Sequence, residues 1–340
     1  MPVIRSRAPL RVSFAGGGTD VHPFPAMEGG AVLSATVNRY AYGTLTPRDD
    51  GVISIESVDF GLSMSFDPST PIELDGELDL FKAAIKRLGA SGAEARGFDL
   101  LVRSSAPPGS GLGSSSTVMV CLVGLLRSLY HLPMTDYETA DLAYQIERED
   151  LGITGGLQDQ YAATFGGFNF IEFDSGRVLV NPLRISDETI GELECSLLLV
   201  DFGLTRASSE IIDDQTGRLE RREIDTLMAL RMQKAIAYDM KDALLCGRLT
   251  EFGELLGVAW EHKQRQSPKV SNERIAEAYE RARAVGATGG KITGAGGGGH
   301  MLLFCDLRNR HRVAAALEDM GASVHDVAFE PRGMTTWVRR

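Results

Sequence analysis

The 340-residue sequence lacks the features that would place it in a membrane or staple it covalently. Its longest apolar run, Thr117 to Leu126, falls far short of the ~20 residues that span a bilayer, and the opening MPVIRSRAPLRVSF has no apolar core of a secretory signal. Cysteine is sparse. Cys121, Cys195, Cys246 and Cys305 are scattered without a C-x-x-C pair, each in an apolar run where a reduced thiol packs well, which fits a reducing cytoplasm. Positive charge is also short: 35 Lys and Arg against 46 Asp and Glu leave a net charge of -11, so the chain repels polyanions at range and nucleic acid is excluded as a partner. Any anionic substrate must therefore meet local cations.

What is present suits a soluble α/β protein with ample core: 43% hydrophobic residues, 24% charged, and an excess of glycine at 38. The length exceeds one usual compact core, and two domains sharing a cleft are expected, residues 1–185 and 186–340, with the boundary near 182 to 194. The first hundred residues alternate in short apolar runs (RVSFA, AVLSATV, AYGTLT, VISIES, LSMSF, FDLLVRS) and read as strands. Helices are expected from Ser114 to Tyr130 and, after a Thr135/Asp136 cap signal, from Asp136 to Asp150. A strand pair, FGGFNFIEF and RVLVNPL, follows, and LECSLLLVDFG reads as a buried central strand. Ile224 to Trp260 is helical with breaks expected at Gly247, Gly253 and Gly257, and Ser271 to Val285 is an amphipathic helix. A strand (HMLLFC), a helix (Arg308 to Met320) and a last pair of strands predict a small α+β sandwich at the end.

Four segments bear on chemistry. Pro107-Pro108-Gly109-Ser110-Gly111-Leu112-Gly113-Ser114-Ser115-Ser116 lies between a strand and a helix; its glycines let backbone N–H groups approach a ligand, and the helix offers its positive end to phosphate. It has no G-K-[ST], so it is not a Walker loop. Gly289 to Gly299 is a second glycine segment between a helix and a strand, and Ala15-Gly16-Gly17-Gly18-Thr19-Asp20 a third, ending in a hydroxyl and a carboxylate. In the fourth, Glu147 to Gln160, a helix-end glutamate and a loop aspartate stand twelve residues apart, a pair able to ligate Mg²⁺ and to orient an attacking hydroxyl. Each segment alone is also compatible with a turn, a mobile loop, a strand bulge or a solvated helix end.

Taken in order, the segments resemble the GHMP kinases. Ala8-Pro9-Leu10-Arg11 through Thr19-Asp20 matches that family's first motif, Pro107 to Ser115 its P-x-G-x-G-L-x-S-S loop, and Lys291 to Gly299 its K-x-T-G-x-G-G-G-G motif. Across nearly the whole chain, APLRVSFAGGGTDV, GGAVLSATVN, EREDLGITGGLQDQYAATFGGFNFIEF, WEHK and SNERIAEAY are similar to the D-glycero-D-manno-heptose phosphate kinases.

The resemblance implies a two-domain α+β fold, ribosomal-protein-S5-like in the N-terminal half and ferredoxin-like in the C-terminal half. It implies transfer of the ATP γ-phosphate to the anomeric C1 hydroxyl of heptose 7-phosphate, on the way to a nucleotide-activated heptose for surface polysaccharide. A kinase of fucose or free heptose, and an inactive sugar or nucleotide sensor, are the alternatives.

By the same resemblance, ATP meets Pro108, Gly109, Ser110, Gly111, Leu112, Gly113, Ser114, Ser115 and Ser116, while Ser114 and Glu147 hold Mg²⁺. Asp159 is the base and Arg11 its fixed cation. Gly17, Gly18, Thr19, Asp20, Gly294, Gly296 and Gly297 meet the sugar. Gly16-Gly17-Gly18 stands where galactokinase has G-E-H, a departure from a hexose-specific site. The cluster Lys263, Arg265 and Lys269 is the candidate for the 7-phosphate. The expected partners are ATP and a small sugar phosphate, without nucleic acid or membrane, and with a homodimer left open.

Overall fold

The computed structural model describes residues 2–67, 71–89, 96–203 and 208–339. The first half contains β1 (Val3–Ala15), α1 (Phe24–Glu28), β2 (Gly30–Arg48), β3 (Ile53–Ser57), β4 (Leu62–Phe66), α2 (Asp79–Gly89), β5 (Gly97–Ser104), α3 (Ser114–Leu129), α4 (Asp136–Gln145), α5 (Gln158–Phe165), β6 (Phe168–Asp174) and β7 (Arg177–Pro182). The second contains α6 (Asp187–Ser196), β8 (Leu197–Asp201), α7 (Ser208–Glu220), α8 (Ile224–Leu245), α9 (Leu249–Gln266), α10 (Glu273–Ala284), β9 (Ala287–Ile292), β10 (His300–Cys305), α11 (Leu307–Glu318), β11 (Ser323–Asp326) and β12 (Thr335–Arg339).

The larger sheet runs β12-β1-β2-β5-β3-β4, with β6 and β7 continuing from the first part of β2; β3 and β5 pair in parallel and the other pairs are antiparallel among the described residues. The smaller sheet is antiparallel in the order β11-β8-β10-β9. In chain order that is strand 4-1-3-2, with helices between the first and second strands and between the third and fourth, the ferredoxin-like arrangement.

Local chemistry explains most of these elements. The Thr135 side chain accepts from Glu138 N at 3.2 Å while Thr135 N donates to Glu138 Oε2 at 2.7 Å, a closed capping box at the start of α4. That helix runs on into a π turn, Ile146–Asp150, which sets the Glu147 side chain inward. α3 is apolar nearly all round because it is buried on every side, against α2, α4, α5 and the strands β1 and β2.

Several expectations are corrected. The stretch read wholly as strands contains α2, whose Phe81, Ala84, Ile85 and Leu88 recur at helical spacing on the buried face. LECSLLLVDFG is not one long strand: Ser186 caps α6, which consumes the residues up to Ser196, and β8 keeps five residues. β11 and β12 are not a pair, since β12 crosses back to lie antiparallel to β1, with Trp337 opposite Arg5. Strands of the 186–340 segment therefore occur in both sheets.

Gly253 and Gly257 do not break a helix. They sit inside α9, where the helix lies directly on β9, and a Cβ at Gly253 would enter the Phe304 ring while one at Gly289 would enter the Gly253 carbonyl. Gly289→Ala is thus expected to lower stability by ~1–3 kcal/mol by forcing α9 off β9. A urea unfolding midpoint equal to the wild type's would refute this close approach.

The apolar core is continuous between the halves: Leu10, Val12 and Phe14 of β1 share a cluster with Ile236 and Met240 of α8, Phe252 and Leu256 of α9, and Leu302 and Phe304 of β10. The Phe14 ring stands 5.2 Å from Phe252 in an edge-on contact. This core fixes the two halves on either side of a cleft.

Candidate active site

The cradle before α3 is built by backbone geometry. Gly109, Gly111 and Gly113 all have positive φ, at 79°, 78° and 75°, which other residues adopt only with strain. Among the described residues no side chain caps α3, so the head of the helix is left to a ligand. Opposite lies the loop between β9 and β10. The His300 backbone N donates to Ser110 O at 3.0 Å, and a Cβ on Gly111 would stand 2.6 Å from Thr293 O. The second glycine segment is therefore divided: Gly289, Gly290 and Lys291 belong to strand β9, and only the part from Thr293 onward is loop.

A cleft runs between the two loops, lined by Gly109, Gly111, Gly113, Ser114, Ser115, Ser116, Gly294 and Gly296. Ser110 and Leu112 are buried beneath it, and Leu112 O accepts from Arg11 N at 3.1 Å. Pro108 lines a neighbouring apolar pocket of about 470 Å³ with Phe60, Leu80 and Val118, a seat of the right character for a purine. Gly297 reaches neither pocket, because its N–H donates to Val270 O at 2.7 Å and its carbonyl accepts from Asn272 Nδ2.

Arg11 and Asp159, 148 residues apart, meet at the end of the cleft. Arg11 Nε and Nη2 lie 2.7 and 2.6 Å from Asp159 Oδ1, and Nη1 donates to Gly111 O at 2.6 Å. The guanidinium side chain is 3% exposed and the aspartate 20%, so the cation is locked and the carboxylate reaches the cleft. Among the described residues, Oδ2 accepts no hydrogen bond and is free for a substrate hydroxyl.

Glu147 is fully buried beside the head of α3. Ser115 Oγ donates to its Oε1 at 2.9 Å and Gln160 Nε2 to its Oε2 at 2.6 Å. Ser114, expected to hold Mg²⁺ with Glu147, lines the same cleft, but its Oγ donates to Ala106 O at 2.7 Å, since one step of helical rotation turns it toward the incoming chain, and it is Ser115 that meets the glutamate. The chemistry of a carboxylate and a hydroxyl facing a phosphate cleft fits Mg²⁺, which takes one or two protein oxygens and leaves the rest to phosphate and water. Among the described residues no group of three or more His, Cys, Asp or Glu offers a richer cage.

Ser115→Ala is expected to raise the Mg²⁺ concentration for half-maximal activity about tenfold. Ser114→Ala should instead cost ~1–3 kcal/mol of stability through the orphaned Ala106 carbonyl. Equal Mg²⁺ titrations for the two variants would overturn this assignment.

Beyond Asp159 the cleft opens into a second pocket of about 400 Å³, lined by Gly17, Gly18, Asp20, Gln158, Gln215 and Lys263. Asp20 accepts from Gly18 N at 3.1 Å, Gln158 N at 3.2 Å and Gln158 Nε2 at 3.0 Å; burial and then the nearby Asp159 charge push its carboxyl above the usual range. Thr19 does not face this pocket. Its Oγ1 lies 2.7 Å from Gly16 O and 3.0 Å from both the N and O of Ala31, so it holds the turn.

Of the three cations on and after α9, only Lys263 is buried in the site. Arg265, two residues on and so on the far side of the helix, and Lys269 are both exposed. Three glutamines hold the pocket's glycine loop and carboxylate: Gln215 Nε2 donates to Gly18 O at 3.2 Å, Gln266 Nε2 to Gly17 O at 3.1 Å, and Gln158 holds Asp20. Gln158 was legible only as the neighbour of Asp159, and the other two carry no sequence signal.

Among the described residues, no helix is long and apolar enough to cross a membrane. The family models for the N-terminal and C-terminal domains of GHMP kinases match residues 79–167 and 240–323. The chain is 38% identical to the D-glycero-alpha-D-manno-heptose 7-phosphate kinase of Campylobacter jejuni over 99% of both chains. It superposes on the crystal structure of a D-glycero-D-manno-heptose 1-phosphate kinase from Bacteroides thetaiotaomicron with a TM-score of 0.83, at 36% identity and 98% coverage of each chain. Lactococcus lactis galactokinase, crystallised with galactose, shares the fold at 23% identity, with a TM-score of 0.80 over 98% of this chain and 95% of that one.

Proposed function

The chain belongs to the GHMP kinases and is a sugar-phosphate kinase of that family, and we propose that it phosphorylates the anomeric C1 hydroxyl of D-glycero-D-manno-heptose 7-phosphate, giving the 1,7-bisphosphate. GHMP kinases use ATP as donor. The observation that carries the reading is the Arg11–Asp159 pair, set where the phosphate cleft meets the second pocket and lining both.

In this reading the triphosphate lies along Gly109 to Ser116 and the sugar lies against Gly17 and Gly18. The C1 oxygen attacks the γ-phosphorus in line, its proton passes to Asp159 Oδ2, and the bond to the bridging oxygen of ADP breaks. Arg11 holds Asp159 through Oδ1 and leaves Oδ2 turned toward the hydroxyl. Asp20 accepts from sugar hydroxyls. Glu147 and Ser115 would hold Mg²⁺, which supplies charge neutralisation on the phosphates. Positioning and electrostatics must carry most of the rate, since a general base is worth ~10²–10⁴-fold.

Two relatives' names differ on which end of the heptose is already phosphorylated, 7 in one and 1 in the other. The 38% identical relative, named for the 7-phosphate, supports that substrate. The test is ADP release with Mg²⁺-ATP on heptose 7-phosphate, heptose 1-phosphate, free heptose, mannose, fucose, galactose and mevalonate, with NMR of the product. Selective turnover of the 7-phosphate with new phosphorus at C1 supports the reading. Turnover of the 1-phosphate alone reverses the sugar, and preference for a free sugar removes the phosphate requirement.

A further inference from the structure

The cations around the second pocket are not equally occupied. Arg11 is committed to Asp159 and the Gly111 carbonyl, and Lys291, fully buried next to it, donates its Nζ to Ser13 O at 2.8 Å. Lys263 lines the pocket, is 2% exposed, and makes no hydrogen bond or ion pair within distance among the described residues. A desolvated ammonium without an acceptor is costly to keep, which points to an oxygen that arrives with the ligand.

We propose that Lys263 binds the phosphate the sugar substrate already carries, and is the residue by which this pocket takes a sugar phosphate in preference to the free sugar. The inference rests on the reading of the substrate as a heptose phosphate.

The glycine at position 17 makes this possible. A Cβ there would stand 3.7 Å from Lys263 Nζ without a steric clash, and Gly17 has no left-handed backbone that would demand glycine. A carboxylate placed at position 17 would pair with Lys263 and repel an anion. Glycine leaves the ammonium open. At Gly18 the space is already taken, since a Cβ there would stand 2.9 Å from Gln266 Oε1 and 3.1 Å from Gln215 Oε1, so α7 and α9 supply the pocket wall.

The groups facing Lys263 set its titration. Burial lowers it to about 8; Asp20 opposes that shift and Arg11 reinforces it, while Lys291 stands behind. A phosphate dianion at Nζ favours the ammonium, so affinity for the sugar phosphate falls as pH rises through about 8 and the free lysine loses its proton.

The test is steady-state kinetics of wild type, Lys263→Met and Gly17→Glu on heptose 7-phosphate and free heptose across pH 6.5 to 9.5, with nucleotide binding as a check of folding. In Lys263→Met the KM for the sugar phosphate should rise ~10²-fold, by more than ten times any rise for free heptose, and the increase in KM above pH 8 should vanish. Gly17→Glu should reduce the same preference, and it decides the matter should Lys263→Met fail to bind nucleotide. Parallel losses on both sugars would overturn the proposal and give Lys263 to a hydroxyl, as would a loss confined to kcat. Wild-type enzyme inactive on every sugar phosphate would instead overturn the substrate reading itself.

Discussion

Asp159→Asn is expected to lower kcat by ~10²–10⁴-fold while leaving the Kd for ATP within about threefold. The asparagine carbonyl can still accept from Arg11 Nε and Nη2, which in the wild type both converge on a single carboxylate oxygen, so the local fold should persist. What changes is the other atom. An amide –NH₂ replaces Oδ2, presenting a donor to the substrate hydroxyl where an acceptor is required. Single-turnover phosphoryl transfer separates this loss from product release, and calorimetric titration of ATP separates it from binding. Unchanged turnover would remove Asp159 from proton transfer.

The second large effect is expected at Glu147. This carboxylate is fully buried and receives hydrogen bonds from two neutral donors, and among the described residues no Lys or Arg pairs with it. A buried carboxylate so placed is unfavourable by itself and is stabilised by a cation that enters with the nucleotide phosphates. Glu147→Gln should therefore shift the Mg²⁺ concentration for half-maximal activity upward by at least about tenfold and lower kcat/KM by ~10²-fold. It should also melt later than wild type without ligand and gain less on adding Mg²⁺-ATP. A variant with wild-type Mg²⁺ dependence would show that Glu147 serves Ser115 and Gln160 only.

These predictions concern residues that the sequence already singled out, and the reason is local. Glycine patterns, a proline-stiffened entry and a capped helix are short-range signals, because each states a backbone conformation within a few residues. Gly109 to Ser116 were legible in that way, Glu147 and Asp159 as a spaced pair of carboxylates, and Arg11 by resemblance. So was Lys263, by resemblance, although its neighbours Arg265 and Lys269 shared the same signal and the structure turns them to solvent.

Less legible were the direction a side chain takes and the partner it meets. Ser114 and Ser115 are chemically identical in the sequence, and only the helix phase gives Ser115 to Glu147. Thr19 looks like a sugar ligand beside Asp20 until the Gly16–Thr19 turn spends its hydroxyl on backbone. Gln215 and Gln266 reach a glycine loop 197 and 249 residues earlier through neutral amides that no spacing rule marks.

The same division holds for the fold. The alternation of β1 to β5, the helical periods of α8 and α10 and the presence of two halves follow from the chain itself, since burial of an apolar face imposes its period on the sequence that makes it. The return of β12 to β1, the seating of α9 on β9 through Gly253 and Gly289, and the placing of Asp159, Lys263 and the two glycine loops around one cleft were decided by tertiary structure. Such pairings join segments far apart in the chain, and their free energy lies in shared burial and complementary charge that neither segment carries alone.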